Sequence, residues 1–339
     1  MVSADVVCLR PAADFAEVGV DVPADLRVCF ASGPAEVPAG DLATARAVVL
    51  ASVGPRLERA WLDQVTGLRL LQFTGAGVDR AADSCAHRPD VVVANVPAAN
   101  VREVAEYVLF AAGALLRRLA FADREIRAGR YGAVRARLTP PAVRSLHSQT
   151  VGVIGLGQIG LTVARLLQAA GATVVYADPA PPDPAAAQAL GLTRLDLDDL
   201  LARSDLVTLH VPLLPATRGL LDEQRLRRMP RGALLINASR GGVADEQALA
   251  RALADGHLGG AAIDVYAAEP PPADSPLLTL PPEAAERVLY TPHIAGVAYE
   301  AARALYSQAW ANVHRVLVDG HPASHQVRPP VPPPPAVPG

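Results

Sequence analysis

Short apolar runs alternate with stretches of helical spacing along almost the whole chain. Before residue 100 the runs are VVCL (6–9), RVCF (27–30), AVVLA (47–51), RLLQFT (69–74) and VVVAN (91–95). A second series begins with VGVIG (151–155) and continues with TVVYAD (173–178), DLVTLH (205–210), ALLIN (233–237), AAIDV (261–265) and VLYTP (288–292). Most are rich in β-branched residues and lack strict in–out alternation, as parallel strands covered on both faces do. Their recurrence fits a strand followed by a crossover helix. Two such series predict two α/β domains with parallel sheets, and PAAN (97–100) is the expected crossing point. A helix from Val101 to about Leu119 should lead into the second domain. The segment 298–320 reads as one long amphipathic helix ending at Gly320, able to return to the first domain. The expected division is therefore 1–100 plus 294–325, then 101–293, with a proline-rich tail over 326–339 that should be disordered or polyproline II.

Composition narrows the chemistry. The chain has 339 residues, 51% hydrophobic, enough for two cores of ordinary size. A formal net charge of −3 gives no basic surplus for nucleic acid, and no block of like charge forms an interaction tail. All 31 Lys-plus-Arg residues are arginines. That excludes a lysine Schiff base, a pyridoxal-phosphate anchor and a phosphate-loop lysine. Cys8, Cys29 and Cys85 are scattered without ligand spacing, which predicts reduced thiols, no metal site and a cytoplasmic protein. The N-terminus MVSADVVCLR has neither the basic start nor the apolar core of a signal peptide. The stretch YVLFAAGALL (107–116) is roughly half of what a bilayer requires, so it reads as a buried helix and no membrane association is expected.

VGVIGLGQIG places Gly155, Gly157 and Gly160 in G-x-G-x-x-G spacing directly after a strand. Gly155 permits a tight turn, Gly157 removes a side chain where a pyrophosphate must approach, and Gly160 lets the helix pack on the strand. The helix N-terminus offers unsatisfied N–H groups to phosphate. The next strand ends in Asp178, 18 residues after Gly160, where a carboxylate can accept from an adenosine ribose. Asp178 repels a 2′-phosphate and is followed by Pro179, Ala180 and Pro181 rather than arginine, which favours NAD over NADP.

Three further pieces lie just past strands of the second series: NASRGG with Arg240, AAIDVYAAEP with Asp264 and Glu269, and TPHIAG with His293. Ligands of such sheets bind beyond the carboxyl ends of the strands, so these loops should share an edge with the glycine loop. An arginine aimed out of a buried strand needs an anion. Together with GLGQIG and HVPLLPATRGLL, these stretches resemble the NAD-dependent, D-isomer-specific 2-hydroxyacid dehydrogenase family, in the family's order and over roughly half the chain. GAGVDR (75–80) and NVPAANVREVAEYVL (95–109) match more loosely, and SLHSQTVGVIG departs from the family's pattern before the cofactor strand.

The resemblance implies two doubly wound parallel-sheet domains, a Rossmann NAD-binding domain inserted in a flavodoxin-like substrate domain. It implies that Arg240 grips a substrate carboxylate and the neighbouring carbonyl oxygen, that His293 is the acid–base, and that Glu269 orients the imidazole and stabilises its charged form. Besides the glycines and Asp178, it assigns Gln158, Ile159, His210, Val211, Pro212, Thr217, Ala238, Ser239, Arg240, Asp264 and His293 to the cofactor, with Asp264 at the carboxamide. Ala76 and Gly77 are assigned to the substrate carboxylate through an anion-binding turn. The expected activity is reversible reduction of a 2-oxo acid to a 2-hydroxy acid by a homodimer. Two alternatives keep the architecture: a formate, phosphite or phosphono-type substrate, or an NAD-sensing binding protein without turnover.

Overall fold

The computed structural model describes residues 3–81, 83–140, 142–180 and 183–327. The expected tail therefore lies outside the described residues from 328 onward, while His325, Gln326 and Val327 are strand-like partners of the sheet edge: Asn95 N–H donates to His325 O at 3.3 Å and Val327 N–H to Val93 O at 2.7 Å. The chain divides into two compact units, Met1–Asn100 with Ala298–Gly339, and Val101–Val297.

In the first unit five strands form one parallel sheet: β1 (Val6–Leu9), β2 (Val28–Phe30), β3 (Ala47–Leu50), β4 (Leu70–Phe73) and β5 (Val92–Ala94). Their order is β2-β1-β3-β4-β5. This is the flavodoxin-like order. Alternate residues feed two cores. Val7, Leu9, Val48, Leu50, Leu71 and Phe73 lie on one face; Val6, Cys8, Ala47, Val49 and Leu70 lie on the other, under Phe15 and Trp310. Both faces are apolar, which is why in–out alternation is missing from the sequence. The long C-terminal helix runs over Tyr299–Leu317. It stops where Gly320 takes a left-handed φ of +69°. It belongs to this unit and is pinned to β4 by a buried amide pair, Asn312 Nδ2–H donating to Gln72 Oε1 at 2.6 Å.

The second unit holds seven parallel strands: β6 (Thr150–Ile154), β7 (Thr173–Ala177), β8 (Thr193–Arg194), β9 (Leu206–Leu209), β10 (Ala233–Asn237), β11 (Leu258–Ile263) and β12 (Val288–Tyr290). Their order, β12-β11-β10-β9-β6-β7-β8, reverses direction between β6 and β9. That reversal places the glycine loop after β6 at the topological switch point, where doubly wound sheets bind ligands. Asp183, Asp222 and Asp245 start their helices by accepting the N–H groups of Ala186, Arg225 and Ala248.

Three local expectations change. β8 has only two residues, both exposed, too short for a hydrophobic signal. β11 begins at Leu258 because Gly259 and Gly260 extend the strand; a Cβ at either would crowd a neighbouring carbonyl, that of Gly232 or Arg287. The helix from Val101 ends at Arg117, since Arg118 adopts a left-handed φ of +53° and a new helix covers Leu119–Arg127. It is not buried all round: Val108, Ala111 and Ala112 are inside, whereas Phe110 is 70% exposed. Among the described residues no helix is long and apolar enough to cross a membrane.

Candidate active site

The glycine loop has the geometry its spacing predicts. Gly155 has a φ of +89°, and a Cβ there would lie 2.6 Å from the carbonyl oxygen of His210. A Cβ on Gly160 would collide with the carbonyl of Gly155. A Cβ on Gly157 would meet nothing within 4 Å. That open space faces the start of the helix Gln158–Ala169, which Gly157 precedes with no side-chain cap. Gln158 and Ile159 form its first turn. Unfilled N–H donors beside a cradle that a side chain would close are what a pyrophosphate requires, so this loop fits a dinucleotide.

Asp178 follows β7. Its Oδ2 accepts from Leu156 N–H at 2.7 Å and its Oδ1 from Ala180 N–H at 2.8 Å. The carboxylate thus braces the glycine loop, and its remaining lone pairs can accept from hydroxyls. Sequence reasoning missed Arg194 on β8, whose guanidinium donates to Pro179 O at 3.0 Å and brings a cation beside the Asp178 turn. His210, just past β9, has its Nε2 2.9 Å from Thr208 Oγ1, and burial pushes its imidazole down to about 3, so it is neutral. Val211 and Pro212 continue that loop, while Thr217 folds its hydroxyl back onto Pro212 O at 2.5 Å.

β10 delivers Asn237, Ala238, Ser239 and Arg240. The buried Asn237 side chain shapes the turn: its Oδ1 accepts from Ser239 N–H and Oγ–H at 3.1 and 2.9 Å, and its Nδ2–H donates to Arg240 O at 3.1 Å. Arg240 Nη1 donates to Ser239 O at 2.7 Å. Gly241 then lets this loop touch the one carrying Glu269, for a Cβ at 241 would run into the backbone of Tyr266 and Ala267. The Glu269 loop is held by two acids. Tyr266 N–H donates to Glu269 Oε1 at 3.1 Å and Ala267 N–H to Glu246 Oε1 at 2.6 Å. Burial raises the Glu246 pKa, with Asp245 and Glu269 adding to the rise.

His293 Nδ1 lies 2.9 Å from Glu269 Oε2 and 3.1 Å from Oε1. Both side chains are about one-fifth exposed, at 21% and 20%. Burial works against the Glu269 carboxylate. The hydrogen bond and charge of His293, the Tyr266 N–H and the charge of Arg240 outweigh it and hold the pKa below the usual carboxylate range. Arg240, Glu269 and His293 therefore share one electrostatic neighbourhood. The Glu269 carboxylate is ionised above that lowered pKa, and what its charge contributes is lost as pH falls through it.

Asp264, expected at a cofactor carboxamide, is turned into the protein. It has no exposed surface. Oδ1 accepts from Ile294 N–H at 2.8 Å and Thr291 Oγ1–H at 2.6 Å, and Oδ2 from Ala295 N–H at 2.9 Å. Its main-chain carbonyl accepts from His293 N–H at 2.8 Å. The other two assigned residues belong to the first unit. Ala76 is exposed and Gly77 buried on the loop after β4. None of residues 75–78 has a positive φ, so the alternating-handed backbone of an anion nest is missing there.

Comparison with known proteins shows the family. Residues 109–295 match the family model described as D-isomer specific 2-hydroxyacid dehydrogenase, NAD binding domain. The D-3-phosphoglycerate dehydrogenase of Mycobacterium tuberculosis is 38% identical over 234 residues, covering 69% of this chain and 42% of the relative. The chain thus spans less than half the length of that relative. The (S)-sulfolactate dehydrogenase of Chromohalobacter salexigens is 37% identical over 265 residues, 77% of this chain and 82% of the relative. Among solved structures, a D-lactate dehydrogenase from Aquifex aeolicus complexed with NAD and lactic acid superimposes with a TM-score of 0.80 at 25% identity, over 96% of this chain and 99% of that one. An NADPH-dependent glyoxylate/hydroxypyruvate reductase from Sinorhizobium meliloti, in complex with NADP and malonate, also reaches 0.80 at 26% identity, over 97% and 98%.

Gly241→Ala isolates the contact between the Arg240 and Glu269 loops. The added methyl must separate them, at a cost of about 1–3 kcal/mol in stability. Urea denaturation should show that loss, and an unchanged midpoint would contradict the tight approach.

Proposed function

Because the chain belongs to the D-isomer specific 2-hydroxyacid dehydrogenase family, we propose that it reduces a small 2-oxo acid to the 2-hydroxy acid, reversibly, with NADH. The observation that carries this reading is the His293–Glu269 pair beside Arg240 on one sheet edge. Bound nicotinamide supplies the hydride. Arg240 presents a planar fork that can hold a substrate carboxylate and draw charge from the carbonyl oxygen. Glu269 occupies His293 Nδ1, so the proton exchanged with substrate travels on Nε2. In reduction Nε2 gives its proton to the carbonyl oxygen as the hydride reaches carbon; in oxidation it takes the hydroxyl proton.

The relatives are named for different acids, so a panel decides the substrate: pyruvate, glyoxylate, hydroxypyruvate, phosphohydroxypyruvate and sulfopyruvate. Loss of NADH absorbance is expected with at least one. With that substrate, His293→Ala should lower kcat by about a hundredfold or more while NADH still binds. Glu269→Gln keeps the shape but removes the charge that faces His293 Nδ1, so kcat for reduction should fall by about tenfold or more. Near-normal kcat in His293→Ala would remove that histidine from the reaction, and no turnover with any acid of the panel would favour an NAD-sensing protein.

NADH should be preferred over NADPH because the Asp178 carboxylate would oppose a 2′-phosphate. Asp178→Ala should narrow the preference, with Arg194 the nearby cation for the phosphate. The double variant Asp178→Ala/Arg194→Ala should lose the NADPH gain. Equal kcat/KM for both cofactors in the unaltered protein would refute this account of the choice.

The assembly proposed is a homodimer. Consecutive helices Val101–Arg117, Leu119–Arg127 and Tyr131–Arg137 leave Phe110, Leu119, Ile126 and Tyr131 exposed at 70%, 54%, 46% and 68%. Exposed large apolar groups of this kind mark association surfaces. Light scattering at micromolar protein should give twice the chain mass; a monomer mass would exclude the dimer.

A further inference from the structure

We propose that Tyr107 and Thr291 act through Asp264 as a positioning relay for His293. The proposal rests on His293 being the acid–base, and adds two residues for which neither the motifs nor the relatives' names give a role.

His293 has a φ of +56°, in the left-handed region that a residue with a Cβ seldom adopts. Something must hold it there. The residues on either side are tied to a single buried aspartate. His293 N–H bonds the Asp264 carbonyl, and Ile294 and Ala295 N–H bond its two carboxylate oxygens. The backbone around His293 is thus draped over Asp264, and the imidazole reaches Glu269 from that fixed base.

The carboxylate needs its own anchor. Thr291 Oγ1–H donates to Asp264 Oδ1 at 2.6 Å, and Thr291 Oγ1 lies 2.6 Å from the Tyr107 hydroxyl. A threonine hydroxyl has one proton, and Asp264 takes it. Tyr107 must therefore be the donor to Thr291. Burial pushes the Tyr107 phenol up to about 12, which keeps that proton in place. Tyr107 sits on the helix Val101–Arg117, a rigid element of the same unit. The relay runs from that helix through Thr291 and Asp264 to the backbone of residues 293–295. It fixes the hydroxyl rotor, the carboxylate plane and the histidine loop in turn.

Thr291→Val keeps the shape of the side chain but orphans both neighbours, so kcat should fall by about ten- to a hundredfold from a misplaced proton donor. KM for NADH should stay within about twofold, since Asp264 has no exposed surface. Thr291→Ser restores the hydroxyl and should recover most of kcat. Tyr107→Phe should lose less. The double variant Tyr107→Phe/Thr291→Val should be no worse than Thr291→Val alone, because removing both partners leaves one fewer buried group unsatisfied. Amide hydrogen exchange of the 291–297 peptide gives a readout independent of turnover. It should quicken by about tenfold or more in Thr291→Val and Tyr107→Phe, but not in Thr291→Ser. Unchanged exchange in Thr291→Val overturns the relay whatever the activity. Faster exchange with kcat kept overturns its effect on His293. A raised KM for NADH with kcat kept would show Asp264 serving the cofactor instead. If the unaltered protein reduces none of the acids, the reading of function fails while exchange still decides whether the relay holds the loop.

Discussion

A carboxylate with no contact with water must have its partners supplied by the protein, or burying it is prohibitive. Asp264 is such a group, at the end of a core strand of the second unit. Two backbone N–H groups and the Thr291 hydroxyl meet that need, and all three come from the segment that carries His293. The requirement to satisfy one buried charge therefore also sets the backbone of His293, the proposed acid–base. Removing the charge would free the loop, and moving the loop would strand the charge.

The neighbouring loops obey a similar economy. Gly241 is small because the backbone of Tyr266 and Ala267 passes where its side chain would be. Gly160 is small because the Gly155 carbonyl is there. Parallel strands bring β6, β10 and β11 to the same edge, and these close approaches bring their loops within reach of each other. Asn237, Glu246 and Asp264 then lock each turn by accepting from, or donating to, main-chain groups. The result is a preorganised cluster in which, against burial, His293 first and Arg240 least lower the Glu269 pKa. Preorganised charge of that kind is what stabilises a developing alkoxide.

Much of this was legible in the chain. Among the described residues eleven of the twelve strands carry apolar runs, because a parallel sheet covered on both faces leaves few polar positions to blur them. The strand missed, Thr193–Arg194, is exposed and two residues long, so hydropathy could not report it. Arg240, Glu269 and His293 stood out because each is an ionisable residue just beyond a strand, among glycines and prolines. Thr291 and Tyr107 did not, since a hydroxyl in an apolar stretch announces neither its partner nor its distance. Tyr107 is 184 residues from Thr291 in sequence. Asp264 was visible as a strand-end acid, yet only its hydrogen bonds show that it faces inward. Helix faces were the weakest point: ten apolar residues read as a buried helix contain Phe110, which is 70% exposed.

The proposed reaction is one chemical event, direct passage of hydride to carbon 2 of an acid held by Arg240 while His293 handles the proton. NADH carrying deuterium at the transferable position of carbon 4 tests this without any variant. Mixed with an accepted 2-oxo acid in ordinary water, it should yield a 2-hydroxy acid with one deuterium at carbon 2, in a single configuration. Product lacking deuterium, or deuterium scrambled with solvent, would contradict the account.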